Sequence, residues 1–534
     1  MKKHQLLILS ALSGILFTIG WPVNGFPGFL FMALVPLLMI EKHIAENKVE
    51  YGIFSVFFYT FPAFFIWNIA TTWWIWNSTP VAAVAWLLNS MFMSIVFQVY
   101  HYVRKNVYPE NKGFFVLPFL WITFEFIHLN WKLTWPWLNL GHGFATYNRW
   151  VQWYEYTGIL GGTLWVILIN LMFFKAFLNG MKNKRTVLRK TGIALLLIFI
   201  PALISQLIYF SYEEKSDPVR IIVTQPNLDP YSEQYTIDPL EVVELNLSLA
   251  EPLFDEKTQF IVAPESAIQE SIWEGNYDWS PSLTKLSEVV AENPKLGIVI
   301  GASTFRRINE GEVIPSSARF HQKLGFYYDR YNTAFLIDTS DRFQKHHKSK
   351  LTPGVEYMPS WGPLSFLENM AIDLGGTVGS LGIDNELNPF VAAGEVSIAP
   401  LICYESVYGE FTGKFINKGA GLIFVITNDG WWGNTPGHKQ HLYFSPLRAI
   451  ETRRSIARSA NTGISCFVDQ RGDISQPTVY WEPDAIKQEI NLNRKITFYT
   501  SMGDYIGRIS AFLSVIFILI SIVLSLKGEK KFLT

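Results

Sequence analysis

Cysteine is scarce. Among 534 residues there are two, Cys403 and Cys466, too few for a disulfide scaffold. One bridge between them stays open on sequence grounds. The reading that fits the neighbours is a free thiol at Cys403 and a packed core residue at Cys466, inside the apolar run Ile464-Ser-Cys-Phe-Val. Net charge is scarce too: 44 Lys and Arg against 45 Asp and Glu leave −1, so no basic field points to nucleic acid. No Gly-x-Ser-x-Gly elbow is present, so a serine hydrolase lacks its usual signature. Gly375-Gly-Thr-Val-Gly-Ser-Leu-Gly matches neither phosphate-binding fingerprint and reads as a flexible loop. Internal repeats and low-complexity tracts are missing as well.

Long hydrophobic runs are plentiful. Stretches of about 17–25 apolar residues can cross a bilayer, and the chain offers eight candidates, at residues 6–21, 26–40, 51–70, 81–100, 114–128, 157–178, 193–210 and 509–526. The second is short and contains Pro36, which is expected to kink it. Trp and Phe concentrate in the first third, as lipid-facing and interfacial aromatics do. Lys2 and Lys3 give the first span a signal-peptide look, but Ile19-Gly-Trp-Pro-Val follows instead of a small-residue cleavage site, which predicts an uncleaved helix. Glu125 lies inside the fifth span, where an ionisable group faces the bundle or a wet cavity; an interhelical hydrogen bond and a functional role both fit.

Loop charges set the orientation. Lys2, Lys3, Lys42, Lys48, Arg104, Lys105, Lys112, Lys182, Lys184, Arg185, Arg189, Lys190, Lys527, Lys530 and Lys531 all fall on one side of the alternation. The opposite loops are poor in such charge: residues 71–80 have none and 130–156 have Lys132 and Arg149. The positive-inside rule then makes both termini cytoplasmic. Seven crossings place residues 211–507 outside the cytoplasm.

That polar segment reads as α/β. Strand-like runs recur at Arg220-Ile-Ile-Val-Thr-Gln, Phe260-Ile-Val-Ala, Gly297-Ile-Val-Ile-Gly, Thr333-Ala-Phe-Leu-Ile-Asp, Val396 to Cys403, Leu422-Ile-Phe-Val-Ile-Thr and Gly463-Ile-Ser-Cys-Phe-Val. Charged, helix-compatible stretches lie between them, including residues 238–256 and 438–460. The alternation predicts a layered α/β domain. Pattern alone leaves a sandwich and a doubly wound sheet both open.

Three short segments in this stretch carry chemistry: Ala-Pro-Glu265, His-His-Lys348-Ser-Lys-Leu-Thr-Pro and Leu-Ile-Cys403-Tyr404-Glu405. A carboxylate, an ammonium and a thiol are the parts of a nucleophilic acyl-transfer site. Taken singly each has a plainer explanation. A buried cysteine is usually an inert small hydrophobe. A Glu after Pro can cap a helix. Lys348 sits in a charge run with Lys345 and Lys350. His438-Lys-Gln-His441 puts two imidazoles on one helix face, but no third ligand is evident, so no metal is expected.

Together, and in this order, the three segments resemble the nitrilase (carbon–nitrogen hydrolase) superfamily. The apolar spans on either side make the chain similar to its apolipoprotein N-acyltransferase family. Lys348-Ser-Lys-Leu351-Thr-Pro353-Gly-Val-Glu356 keeps the family spacing, with Lys350 where many members carry His and Pro-Gly-Val-Glu in place of Pro-Phe-Gly-Glu. Trp135-Pro-Trp137-Leu-Asn139-Leu-Gly-His, Asn428-Asp429-Gly-Trp431-Trp432-Gly and the stretch from Ala449-Ile-Glu451 to Arg458-Ser-Ala-Asn461-Thr-Gly463 extend the match along nearly the whole chain.

The resemblance implies a fold: a polytopic bundle of eight transmembrane helices (1–210 and 508–534) with an inserted extracytoplasmic αββα sandwich (211–507). It also implies roles. Glu265 is the general base, Cys403 the nucleophile, and Lys348 with the Tyr404 amide the oxyanion donors, typically worth about 10²–10³ in rate each. Glu356, Tyr404 and Glu405 support the triad. Trp431, Trp432, Trp135 and Trp137 are expected to form a lipid-facing entrance. The implied partners are a phospholipid acyl donor, a diacylglyceryl apolipoprotein acceptor and membrane lipid, in the bacterial cytoplasmic (inner) membrane. No cofactor, metal or nucleic acid is expected. A membrane-tethered amidase and a non-catalytic lipid-binding scaffold stay open as alternatives.

Overall fold

The structure is a computed structural model. It describes all residues except 79–81, 108–112, 181–183, 341–342, 358–379, 385, 393 and 528–534. Lys112, Lys182, Lys530, Lys531 and most of the glycine-rich loop at 375–382 therefore lie outside the described residues. The chain divides into two compact units.

The first unit comprises Met1–Trp73, Ala82–Ser211 and Met502–Thr534. Its main helices are Lys3–Ile19, Val35–Glu46, Ser55–Thr72, Ala82–Val107, Val116–Asn130, Tyr154–Gly180, Lys184–Ser211 and Tyr505–Leu526. Among the described residues five helical stretches are long and apolar enough to cross a membrane: Pro27–Glu46, Ala83–Val107, Tyr154–Leu178, Arg185–Ser211 and Tyr505–Leu526. Lys3–Ile19 and Val116–Asn130 are apolar but shorter.

The second span differs from the expected kink at Pro36. The helix breaks earlier, at Leu34, and Pro36 sits in the first turn of Val35–Glu46, where its missing N–H costs nothing. Asn170 completes the break. Its Oδ1 accepts from Leu34 N at 2.8 Å and its Nδ2 donates to Leu30 O at 2.8 Å. Glu125 does what a buried carboxylate must do to be tolerated: it accepts from Trp121 Nε1, Leu140 N and Thr163 Oγ1 at 3.0, 2.8 and 2.6 Å. It thereby ties its helix to the turn that follows.

The second unit comprises Trp74–Val81 and Tyr212–Ser501. Its strands are β1 Pro218–Gln225, β2 Thr258–Val262, β3 Ile268–Trp273, β4 Gly297–Arg307, β5 Arg319–His321, β6 Phe326–Ile337, β7 Gln344–His347, β8 Phe390–Ala392, β9 Val396–Ile402, β10 Leu422–Thr427, β11 Ile456–Ala460, β12 Cys466–Val468, β13 Ile474–Ser475 and β14 Asp484–Asn491. One sheet runs β14-β1-β2-β4-β6-β5, with β3 beside β4 and β7 beside β6; the other runs β13-β12-β11-β10-β9-β8. In both, the central strands are parallel: β1-β2-β4 and β9-β10-β11.

Side-chain alternation divides the core into layers. Val219, Ile221 and Val223 of β1 join Phe260, Ile398, Phe424 and Ala457 between the sheets. Ile222 points the other way, to Val243, Leu283 and Leu286 of the helices Pro239–Ala250 and Pro281–Glu292. Helices Gly409–Asn417 and Pro436–Thr452 pack on β9 and β12. The result is four layers, α/β/β/α. Three of these helices begin alike, with Asp238, Ser280 or Thr435 capping and a proline at the first helical position.

The stretch 438–460 is not one helix. It ends at Thr452, Arg453 turns left-handed with φ 50°, and Ile456–Ala460 is the buried strand β11. Five residues that include an arginine carry too weak a period to be read as a strand. Their pairing with Ile423–Thr427 decides the matter.

Candidate active site

Parallel strands present their carboxyl ends to one edge of a sheet, and ligand chemistry gathers there. In the second unit, β2 leads to Glu265, β9 to Cys403, β10 to Asn428 and Asp429, and β11 to Asn461. Lys348 follows β7, with its own N–H donating to Asn332 O on β6 at 2.8 Å.

Cys403 opens a tight turn directly after β9 and holds φ at 50°, a region that non-glycine residues seldom occupy. Glu405 clamps the turn. Its two oxygens accept from Ile402 N at 2.8 Å and Ser349 N at 2.6 Å, and His346 Nε2 lies 2.9 Å away. One buried carboxylate thus joins the thiol's turn to the lysine's loop. The chain at Glu265 is set by close approach: a Cβ at Gly301 would lie 2.5 Å from Ser266 N and 2.6 Å from Glu265 Cα.

The structure brings Glu265, Lys348 and Glu356 into contact. Lys348 Nζ lies 3.0 Å from Glu265 Oε1 and 2.9 Å from Glu356 Oε1. Asn332 Nδ2 donates to the same two oxygens at 2.7 and 3.1 Å. Asn428 N donates to Glu265 Oε2 at 3.0 Å, and Thr352 N to Glu356 Oε2 at 2.9 Å.

Two carboxylates on one ammonium do not titrate alike. For Glu265, burial and the neighbouring Glu356 charge outweigh Lys348 and push its carboxyl upward. For Glu356, burial also pushes up, but Lys348 and the Thr352 N–H hold it below its ordinary value. Burial works against the Lys348 ammonium, yet Glu265, Glu356 and Cys403 together raise it well above a free lysine. The Cys403 thiol is raised by burial first and then by Glu265, with Lys348 opposing. The resting site therefore holds a neutral thiol beside a basic carboxylate, an arrangement suited to proton transfer during attack.

Tyr404 is buried, with its ring edge-on to Tyr408 at 5.3 Å. Trp431 and Trp432 are partly exposed. Trp431 meets Tyr231 edge-on at 5.0 Å, and Trp432 meets Trp74 at 4.8 Å. Trp135 and Trp137 belong to the first unit, where they stack at 5.6 Å; Trp137 is buried. His438 and His441 do not share a site. His438 stacks on Tyr480 at 3.9 Å, while His441 turns to Asp429 at 2.9 Å.

Cys403, Asp429 and His441 place potential ligand atoms within 4.8 Å of one another. Arg458 already holds Asp429 Oδ2 at 2.6 Å and lies 3.1 Å from His441 Nδ1, and a guanidinium there disfavours a second cation. Asn332 and the Asp429–His441–Arg458 set carry no role in the sequence reading. Asn332 is one of several polar residues in a twelve-residue strand, and its partner Glu265 is 67 positions away. The only available signal for Asp429 was its place in the Asn-Asp-Gly-Trp segment.

A model of the carbon–nitrogen hydrolases matches residues 223–497, and a model of the apolipoprotein N-acyltransferase N-terminal domain matches residues 13–172. An apolipoprotein N-acyltransferase of Chlorobaculum tepidum is 27% identical over 518 residues, covering 94% of this chain and 93% of that protein. One of Geobacter metallireducens is 24% identical over 519 residues, covering 93% and 91%. Among solved structures, a Saccharomyces cerevisiae member of branch 10 of the nitrilase superfamily has 14% identity and a TM-score of 0.37, covering 52% of this chain and 92% of that one.

Proposed function

The chain belongs to the carbon–nitrogen hydrolase family, and from that premise we infer that it works as an apolipoprotein N-acyltransferase. The observation that carries the chemistry is the Glu265–Lys348–Glu356 cluster beside the left-handed turn of Cys403. The relatives named above, matched along nearly their full length, carry the substrate class.

Glu265 takes the proton of Cys403 as Sγ attacks an acyl ester carbon of a phospholipid. The tetrahedral oxyanion is stabilised by Lys348 and by the Tyr404 N–H. The ester C–O bond breaks, Glu265 returns the proton to the departing alkoxide, and lysophospholipid leaves a thioester on Cys403. The α-amine of an S-diacylglyceryl cysteine then attacks the thioester. Glu265 accepts the amine proton and passes it to the Cys403 thiolate as the C–S bond breaks. The acceptor leaves as a triacylated N-terminus. Splitting one transfer into two displacements gives ping-pong kinetics.

Glu356 holds Lys348 in place, and Glu405 holds the Cys403 turn. Residues 1–210 and 508–534 form a bundle of eight spans in the bacterial inner membrane, and 211–507 face outward with both termini cytoplasmic. The Lys/Arg asymmetry of the short loops supports this placement. A cysteine introduced at Lys184 should resist an impermeant thiol reagent in intact spheroplasts and one at Asp278 should label; the reverse removes the orientation.

The test of function is purified full-length protein with phospholipid and a diacylglyceryl peptide. Intact mass should show one acyl group on Cys403, followed by triacylated peptide. Free fatty acid with no acylated peptide would instead make the protein a hydrolase.

A further inference from the structure

The peptide unit between Cys403 and Tyr404 is gripped on its oxygen side. Ser406 Oγ donates to Cys403 O at 2.7 Å, and His441 Nε2 lies 3.2 Å from the same oxygen and 3.1 Å from Ser406 Oγ. Behind the imidazole, Nδ1 lies 2.9 Å from Asp429 Oδ1 and 3.1 Å from Arg458 Nη2. Asp429 Oδ1 accepts from Thr427 Oγ1 at 2.8 Å, and Oδ2 accepts from Arg458 Nη2 at 2.6 Å. His441, Asp429 and Arg458 are all fully buried. No step of the proposed reaction uses them.

Two of the three protonation patterns of the ring put a hydrogen on the nitrogen that faces Cys403. With the Ser406 hydroxyl hydrogen on Cys403 O, Nε2 faces two oxygens that can each accept from it. If Arg458 donates to Nδ1, the ring is the neutral Nε2–H tautomer. If Nδ1 donates to Asp429 as well, the ring is an imidazolium. Nε2 bears hydrogen in both. In the third, a bare Nε2 takes the Ser406 hydroxyl hydrogen away from Cys403 O and turns its own lone pair toward that carbonyl, which leaves the oxygen without either donor.

A peptide unit is planar, with N–H pointing opposite to C=O. Fixing Cys403 O therefore fixes the direction of the Tyr404 N–H. Hydrogen bonds to the carbonyl also polarise the amide and strengthen its N–H as a donor. The grip matters at this residue because φ at Cys403 is +50°, and relaxation of that strain would rotate the plane.

We propose that His441 is a positioning residue, whose Nε2–H holds the Cys403 carbonyl so that the Tyr404 N–H aims at the oxyanion, with Asp429 and Arg458 fixing the ring. The proposal rests on the acyl-transfer reading of the site.

Two reactions of Cys403 separate this from a general structural role. Alkylation by iodoacetamide is a displacement at saturated carbon and forms no oxyanion. Thioester formation forms one. In full-length protein, His441→Ala should slow acylation of Cys403 by about 10–100-fold, part of the ~10²–10³ that one oxyanion donor supplies. Its alkylation rate should stay within about threefold. His441→Gln, whose amide can donate from near the Nε2 position, should recover most of the loss. Should the alanine variant not fold, His441→Asn takes its place, since its shorter amide can meet Asp429 without reaching the carbonyl.

Parallel loss of alkylation and acylation would overturn the proposal. So would wild-type acylation in the alanine or asparagine variant, or a glutamine variant no better than alanine. Each comparison is run with phospholipid and with a p-nitrophenyl acyl ester, which forms the same oxyanion. A wild type that reacts with the ester but never with phospholipid sinks the functional reading alone, and the His441 comparison is then decided on the ester.

Discussion

The side-chain amide of Asn332 donates at 2.7 Å to Glu265 Oε1, the same oxygen that faces Lys348 Nζ at 3.0 Å. A donor on a carboxylate favours its ionised form. Asn332 therefore restrains the upward push that burial gives Glu265.

Removing that donor should move the pH dependence. With Glu265 as the proposed base, acylation should fall as pH drops through its pKa, because a base must be ionised to act. Asn332→Ala raises that pKa further and shifts the acid limb to higher pH. A hydrogen bond to a charged group contributes about 1.5–3 kcal/mol, which corresponds to roughly one to two pH units. A pH–rate profile of thioester formation checks this, and an unmoved acid limb would assign the titration to another group.

The two thiols should separate cleanly. Cys403 is partly exposed at the end of β9, whereas Cys466 is buried in β12. Cys403→Ser should abolish acyl-enzyme formation while the protein stays folded. Cys466→Ser should retain transfer. Intact mass after incubation with phospholipid reads both, and acyl mass on Cys466 would transfer the nucleophile's role.

The three clustered lysines have different surroundings. Lys345 pairs with Glu274, Lys350 lies 4.8 Å from the Tyr408 ring centre, and Lys348 alone of the three bridges Glu265 and Glu356. Lys348→Ala should lose about 10²–10³ in acylation rate, with small effects at Lys345 and Lys350. Equal losses at all three would indicate a general electrostatic patch.

Stability should change with a definite sign. Without Lys348, both buried carboxyls sit above the unfolded value of about 4.3. The Lys348→Ala fold is then least impaired below that value and loses stability as pH rises through the folded pKa values. At neutral pH the loss should be about 3–5 kcal/mol, as for a broken buried ion pair. Melting at pH 5 and pH 8 should show the variant regaining stability on acidification relative to wild type.

The parts of the molecule legible in the sequence are those that local patterning encodes. β1, β2, β9 and β10 show as apolar runs because each is a buried parallel strand, and the longer apolar helices show through their length. Cys403, Lys348 and Glu265 stand out in the sequence because each sits in a segment of recognisable spacing. Asn332 was hidden because one Asn in a strand gives no sign that it bridges two carboxylates distant in sequence. His441 drew notice only as half of a His-Lys-Gln-His pair, and the fold turned the two rings to different partners. The break at Leu34 was misplaced because its cause, the Asn170 amide, lies 136 residues away.

Acceptor choice is the property most sensitive to the rim of the site. A thioester reacts with water as well as with an amine, so productive transfer needs water kept out. Trp431 is partly exposed and held by Tyr231, whose hydroxyl lies 2.8 Å from Trp431 O and 2.9 Å from Asn77 O. Trp432 packs edge-on to His441 at 5.7 Å, so its removal would also disturb the ring behind Cys403. Trp431→Ala is the cleaner probe. If Trp431 shields the thioester, the variant should slow transfer or raise the ratio of free fatty acid to acylated peptide at unchanged Cys403 alkylation. If the ring only packs, Tm should fall with no change in that ratio. Product partition measured at matched thermal stability separates the two, and an unchanged rate and ratio in a well-folded Trp431→Ala would remove Trp431 from the entrance.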